Sequence, residues 1–110
     1  MKFSVGNSVM INPGVIDPDF DFDISGWQGR VEEIFDGGLV LIRWDSVTLA
    51  KMPLGLVIQC ENENFDWEVM ALNKTDIHVA RERDSTADVH NAAMRIKHQI
   101  MNDPRIDDDS

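Results

Sequence analysis

Residues 27–45 read WQGRVEEIFDGGLVLIRWD, two β-rich runs joined by Asp36-Gly37-Gly38. Glycine adopts a positive φ without a Cβ penalty, so this joint suits a tight turn between antiparallel strands. In the second run the side chains alternate between two partly apolar faces, as expected for a central strand of a small, curved sheet. The segment therefore predicts a β-hairpin, with Trp44 in the core.

Around this hairpin, short apolar runs are separated by turn residues. Residues 8–11 predict a first strand, and residues 46–52 predict a third strand that ends before Pro53. Periodicity does not distinguish helix from strand over shorter runs. For residues 54–60 the sequence fits both a helical turn and an edge strand. The sequence fits both a last strand and a short helix for residues 66–72 and 77–80.

Residues 85–102 predict an amphipathic helix. Ser85 precedes Asp88 by three positions, close to a capping box, and Pro104 disfavours helical geometry at the residue before it. Helical spacing directs one apolar stripe toward the core. This stripe consists of Val89, Ala93, Ile96 and Ile100. After the helix, residues 103–110 are predicted to form an acidic tail.

The hairpin resembles a known family. The pattern Gly-Arg-Val-x-x-Ile at 29–34, the glycine turn and Val-Leu-Ile-Arg-Trp-Asp at 40–45 are similar to small Src-homology-3-like barrels, in particular KOW, Tudor and Mind-bomb/Herc-type domains. The resemblance covers residues 5–60. It implies a mainly β fold, a five-stranded antiparallel barrel over residues 1–84, and a binding module rather than an enzyme. The helix lies outside the family pattern, and the basic residues of nucleic-acid-binding KOW modules are missing.

The charge balance restricts the partners. The chain contains 20 acidic and 10 basic residues, a formal net charge of −10 at pH 7. Nucleic acids and anionic membranes bind basic surfaces, so we expect neither as a direct partner. Cations, basic peptides and basic protein surfaces are attracted instead. Negative charge also promotes solubility, an interpretation that needs no partner.

Motifs and cysteine content argue against secretion and catalysis. Cys60 is the single cysteine, so no intrachain disulfide forms, and the N-terminal residues do not resemble a signal peptide. We therefore expect an intracellular, cytoplasmic protein. No nucleotide-binding loop, nucleophile elbow or zinc-ligand spacing occurs, and Cys60 in its apolar setting is expected to be inert. The sequence predicts no catalytic residues and no cofactor.

An acidic loop at 17–23 is the most unusual local feature. Four aspartates occupy alternate positions: Asp17, Asp19, Asp21 and Asp23. If the segment is extended, the carboxylates share one solvated face while Phe20, Phe22 and Ile24 pack inward. Alternatively, their hard oxygens bind a divalent cation of the Ca²⁺ type, although the spacing does not match an EF-hand loop.

Two tryptophans and two methionines are candidate partner contacts. The sequence allows two interpretations of Trp27 and Trp67, as core residues or as exposed rings. Tudor-like modules bind methylated lysine or arginine in aromatic cages, so the resemblance implies a cation–π site at these rings. Met94 and Met101 form a second, partly exposed stripe on the helix. This stripe either contacts a second copy of the chain or another protein, or widens the core contact.

These features predict a non-catalytic protein-interaction or adaptor module whose acidic surface favours a cationic or protein partner. The alternative is a divalent-cation-binding protein that uses the loop 17–23. A third hypothesis is a KOW-like module that acts on nucleic acid through a protein partner. In the first hypothesis the acidic loop and four further acids form a rim for a basic partner. These acids are Glu61, Glu63, Asp66 and Glu68.

Overall fold

The structure, a computed structural model, describes residues 2–17 and 19–106. Its strands are β1 (Ser8–Ile11), β2 (Ile16–Asp17), β3 (Phe22–Asp23), β4 (Gln28–Ile34), β5 (Leu39–Trp44), β6 (Val69–Asn73) and β7 (Ile77–Val79). Its helices are α1 (Ser46–Lys51), α2 (Leu54–Asn62) and α3 (Thr86–Met101). Short 3-10 turns occupy Asp36–Gly38 and Lys74–Asp76.

Five strands form one antiparallel sheet in the order β6-β5-β4-β1-β7, and β2 pairs with β3 in a separate hairpin. The predicted five-stranded antiparallel sheet and the C-terminal helix are therefore confirmed. The chain is nevertheless mixed α/β rather than mainly β, because two helices lie between β5 and β6. The sheet is also not closed into a barrel, since β6 and β7 form its two edges.

The predicted hairpin of residues 27–45 is confirmed as β4 and β5. Gly37 and Gly38 both take positive φ, 82° and 84°, which explains why this turn contains two glycines. A register shift between Val31 and Glu33 marks a bulge, which bends β4 over the core. Trp44 is 1% exposed on the core face of β5, as predicted.

The prediction of a third strand at residues 46–52 is wrong, since this segment forms α1. The Asp45 carboxylate accepts a hydrogen bond from the Thr48 backbone N–H at 2.8 Å, which caps the first turn. Thr48 and Leu49 are buried on one side of the helix. The strand preference of the β-branched residues in this segment is weak. The Asp45 cap and the burial of Thr48 and Leu49 stabilise the helix by more than this preference opposes it.

The segments left open by the sequence are now assigned. Residues 54–60 lie within α2, a full helix rather than a turn or an edge strand. The segments 66–72 and 77–80 contain the strands β6 and β7 rather than a helix. β7 pairs with β1 across the sheet, a contact between residues that are far apart in sequence.

The predicted C-terminal helix is confirmed as α3, including its capping box. The Asp88 N–H donates to Ser85 Oγ at 3.2 Å, and the Ser85 N–H donates to an Asp88 carboxylate oxygen at 3.0 Å. The buried residues of α3 are Val89, Ala92, Ala93 and Ile100, and Ile96 is partly buried. Of the predicted acidic tail 103–110, residues 107–110 lie outside the described residues. No helix within residues 2–17 and 19–106 is long and apolar enough to cross a bilayer.

The segment before α3 is attached to the rest of the chain through ion pairs. Arg83 donates to both carboxylate oxygens of Asp45, at 2.7 and 3.0 Å. The Asp84 carboxylate accepts from Arg30 at 2.7 Å and from the Ser46 backbone N–H at 2.6 Å. Because the Asp84 side chain is only 5% exposed, these bonds are largely shielded from water and fix the start of α3 against α1 and β4.

We expect Asp84→Asn to flatten the acid dependence of stability. Burial opposes ionisation, but hydrogen bonds from Ser46 and Arg30 outweigh it and hold the pKa of Asp84 below its usual 3.8. A lowered folded-state pKa gives stability that is complete above the unfolded pKa and is lost as the pH falls through the folded pKa. We therefore measure the free energy of unfolding by urea titration at pH values around and below the usual carboxyl pKa. As the pH falls, this free energy should decrease less for Asp84→Asn than for the unmodified chain.

The matched control is Glu82→Gln. Glu82 contacts the same arginine, at 2.8 Å, but its side chain is 61% exposed. Exposed ion pairs contribute about 0–1 kcal/mol, so this variant should retain the acid dependence of the unmodified chain. Equal pH profiles for Asp84→Asn and the unmodified chain would show that the buried pair is not coupled to folding.

Candidate functional site

Residues of the β2–β3 hairpin, α2 and β6 line one open cleft of about 210 Å³. Five of its side chains are aromatic: Phe20, Trp27, Trp44, Phe65 and Trp67. Three are acidic: Asp17, Asp19 and Asp66. We call this site the aromatic cleft. It joins parts of the sequence that are up to half the chain apart.

The rings in the cleft pack edge to face. Trp27 and Trp44 have centroids 5.1 Å apart at an interplanar angle of 85°, and Phe20 and Phe65 lie 5.3 Å apart at 80°. Such pairs add about 0.5–1.5 kcal/mol beyond their buried area. Trp44 is almost fully buried, whereas Phe65 is 45% exposed. The cleft therefore has a buried floor at Trp44 and an aromatic rim open to solvent at Phe65.

Trp27 and Trp67, which the sequence left open between core and contact, lie in the same cleft. Trp67 is only 5% exposed, and its indole N–H donates to a Glu61 carboxylate oxygen at 2.7 Å. Trp27 is half-buried and packs between Trp44 and Phe22. Trp67 thus forms a fixed wall, while Trp27 keeps part of its ring accessible.

The carboxylates of the cleft have no basic neighbour there, since none of the described residues that line it is basic. Asp17 is 3% exposed, and its carboxylate accepts a hydrogen bond from the Asp19 backbone N–H at 2.8 Å. Asp19 and Asp66 are exposed. Negative charge beside apolar walls is focused, because less water screens it.

The negative charge of the cleft affects the pKa of the Cys60 thiol. Burial is the main cause that raises its pKa to about 11, and the nearby carboxylates of Asp17, Glu63, Glu61 and Asp19 raise it further. A thiol with this pKa stays protonated near neutral pH and is a poor nucleophile. Cys60 therefore contributes an apolar wall to the cleft.

The expectation that the acidic loop presents its four aspartates on one exposed face is wrong. A turn with Asp21 at φ 53° joins β2 to β3, so the alternation is broken and Asp17 points inward. Asp23 instead accepts a bond from the Ser25 N–H at 2.9 Å. Within residues 2–17 and 19–106, no three His, Cys, Asp or Glu side chains are placed to share a metal ion. Cation binding by the loop 17–23 stays a prediction.

Met94 and Met101 are exposed on α3, 50% and 77%, as the predicted second stripe requires. Neither lines the aromatic cleft. Met94 borders a separate groove of about 210 Å³ between α3 and the sheet, where Arg43 and Lys97 both contact Glu68. A contact with another chain at these methionines stays a prediction.

Sequence reasoning missed part of the site. Of the four additional acids proposed for a rim, only Asp66 lines the cleft, while Glu61 binds the Trp67 indole and Glu68 pairs with basic residues. A local signal exists, because Asp19-Phe20 and Phe65-Asp66 each place an acid beside an aromatic residue. The contact between these two segments depends on tertiary packing.

No family model, curated protein or solved structure matches this chain. Its function is therefore inferred from the composition and geometry of the aromatic cleft.

Proposed function

We propose that this chain is a non-catalytic interaction module that binds a basic segment of a protein partner in the aromatic cleft. The observation that carries the proposal is the combination of five aromatic side chains and three carboxylates without a basic residue among the described lining. Ammonium and guanidinium groups are attracted both to aromatic faces and to carboxylates.

The size of the cleft favours a side chain over a small-molecule substrate. Small-molecule sites usually enclose about 300–1,000 Å³, whereas this cleft encloses about 210 Å³. Lysine and arginine place apolar stems against hydrophobic walls while their charged ends reach carboxylates. The Cys60 thiol, whose pKa burial raises to about 11, does not supply a nucleophile to the cleft near neutral pH.

The sheet supports a more specific proposal, an open form of the Src-homology-3-like barrel. β1 pairs with both β4 and β7, so the first and last strands of the described residues are neighbours, as closure of a small barrel requires. The glycine hairpin and the bulge in β4 give the sheet the bend that such a barrel needs. In this proposal the aromatic cleft lies beside the edge at which the sheet fails to close.

Phe65→Ala is expected to weaken binding of a short oligolysine peptide about tenfold, which corresponds to about 1.4 kcal/mol. The ring is 45% exposed at the rim and pairs edge to face with Phe20, so its removal should lower the free energy of unfolding by about 1 kcal/mol and leave the chain folded. Phe35→Ala is the matched control, because Phe35 is 39% exposed and does not line the cleft. Tryptophan fluorescence during the titration measures both affinities, and equal loss in the two variants would contradict the proposal.

Charge is tested separately with two double variants that remove equal charge. Asp19→Asn with Asp66→Asn neutralises the rim of the cleft, whereas Glu33→Gln with Asp36→Asn neutralises exposed acids outside it. Near physiological salt, where screening acts over about 8 Å, only the first pair should weaken oligolysine binding. Equal weakening would assign the binding to net charge rather than to the cleft.

A further inference from the structure

Among residues 2–17 and 19–106, no strand pairs with the outer edge of β6. The Trp44 N–H donates to the Glu68 carbonyl at 3.0 Å, which identifies this opposed pair as a hydrogen-bonded one. Bonded and non-bonded pairs alternate in an antiparallel ladder, so Met70 and Leu72 direct their backbone groups toward β5. Val69 and Ala71 direct theirs away from the sheet, where no described strand lies.

The unpaired edge lies in the aromatic cleft. Val69, Met70 and Ala71 all line it. Successive side chains of a strand point to opposite faces, so a cleft that contacts three consecutive residues reaches the strand edge rather than one face. Backbone donors and acceptors thus lie beside the aromatic rings and carboxylates already described.

Charge selects the occupant of this edge. The acids Asp17, Asp19 and Asp66 beside it attract a cationic segment. A second copy of the chain carries the same net charge of −10 and presents the same acids, so edge-to-edge pairing of two copies is opposed. Residues 107–110 add three aspartates and are repelled in the same way.

We propose that the basic segment binds as an added β-strand along β6, bonded to the N–H and C=O groups of Val69 and Ala71. Alternate side chains of the added strand point to the face that carries Trp44 and Met70, so basic residues are recognised at every second position. This inference rests on the proposed function and adds its binding mode: backbone pairing supplies affinity, and the cleft selects positive charge.

The test uses the full chain and a short peptide of alternating lysine and threonine. Amide exchange measured by NMR should slow at least about tenfold at Val69 and Ala71 when the peptide binds, because new hydrogen bonds protect these amides. A second peptide carries N-methyl groups on the amides that face β6. It has the same charge but lacks these donors, and its Kd should be at least about tenfold higher.

Two edge variants give an independent measurement. Ala71→Pro removes an N–H that points away from the sheet, a position where an edge strand tolerates proline. Val79→Pro is the matched control on the opposite edge, since Val79 lies between the bonded pairs of β7 and β1 and outside the cleft. Peptide binding should be lost in the first variant and retained in the second.

The outcomes separate the two proposals. If the peptide shifts the cleft resonances but the N-methylated peptide binds equally well, strand addition is overturned and the proposed function stands. If neither peptide shifts the cleft resonances, both fail. Slowed exchange at Val69 and Ala71 that grows with protein concentration in the absence of peptide would identify a second copy as the occupant and overturn the proposal. If Ala71→Pro does not fold, as circular dichroism would show, the peptide comparison alone decides.

Discussion

Replacing Trp44 with alanine is expected to lower the free energy of unfolding by about 4 kcal/mol. Trp44 is 1% exposed and is the largest fully buried side chain among the described residues. Its removal leaves a cavity beneath the cleft and takes away the edge-to-face partner of Trp27, 5.1 Å away. Domains of this size are stabilised by about 5–15 kcal/mol, so the variant should lose much of its stability.

Urea unfolding monitored by circular dichroism measures this loss, and Phe35→Ala is the control. Phe35 is also aromatic but 39% exposed, so its truncation should change the unfolding free energy by less than about 1 kcal/mol. A similar, small change in both variants would contradict the placement of Trp44 in the core.

Gly29→Ala is expected to destabilise the chain by about 3 kcal/mol or more, although it adds a single methyl group. A Cβ at this position would lie 2.7 Å from Ile42 Cγ2 and 2.9 Å from the Arg43 carbonyl carbon. Because the second contact is with backbone of the paired strand, relief requires separation of β4 from β5. Trp44, which pairs with Gly29, would move with it.

Gly55→Ala is the matched control for the same change of residue. Gly55 lies in α2, and a Cβ there meets no atom within 4 Å. Alanine is favoured over glycine by about 0.8–1.0 kcal/mol in a helix interior and by less in the first turn, where Gly55 lies, so this variant should be slightly more stable than the unmodified chain. Thermal unfolding of the two variants should therefore shift in opposite directions. A neutral Gly29→Ala would show that β4 and β5 are not packed as closely as described.

The sequence predicted correctly those elements whose contacts join residues only a few positions apart. The turn at Gly37 and Gly38 and the Ser85–Asp88 capping box involve contacts within a few residues, and both are confirmed. Residues 46–52 show the limit of this reasoning. Their β-branched residues suggested a strand, but Asp45 caps a helix there, and Asp45 is itself held by Arg83, 38 positions away.

The candidate site was predictable in its composition but not in its geometry. Trp27, Trp67 and the acidic loop were selected from the sequence, and the cleft contains both rings together with Asp17 and Asp19. The inward orientation of Asp17 was not predictable, because it follows from the turn at Asp21. The edge of β6 was equally hidden, since strand order requires pairings between distant residues.

Residue types and their order along the chain were sufficient to predict the β4–β5 hairpin, the capped helix α3 and the excess of negative charge. These properties depend on residue type and on contacts over a few positions, where backbone preference and side-chain period act directly. The open edge at β6, and the meeting of rings and carboxylates beside it, depend instead on how the folded chain packs. Those features arise when segments far apart in the chain bury apolar surface together, and the hydrophobic effect that drives this burial is non-directional. Close packing, and not local sequence, then selects which side chains become neighbours.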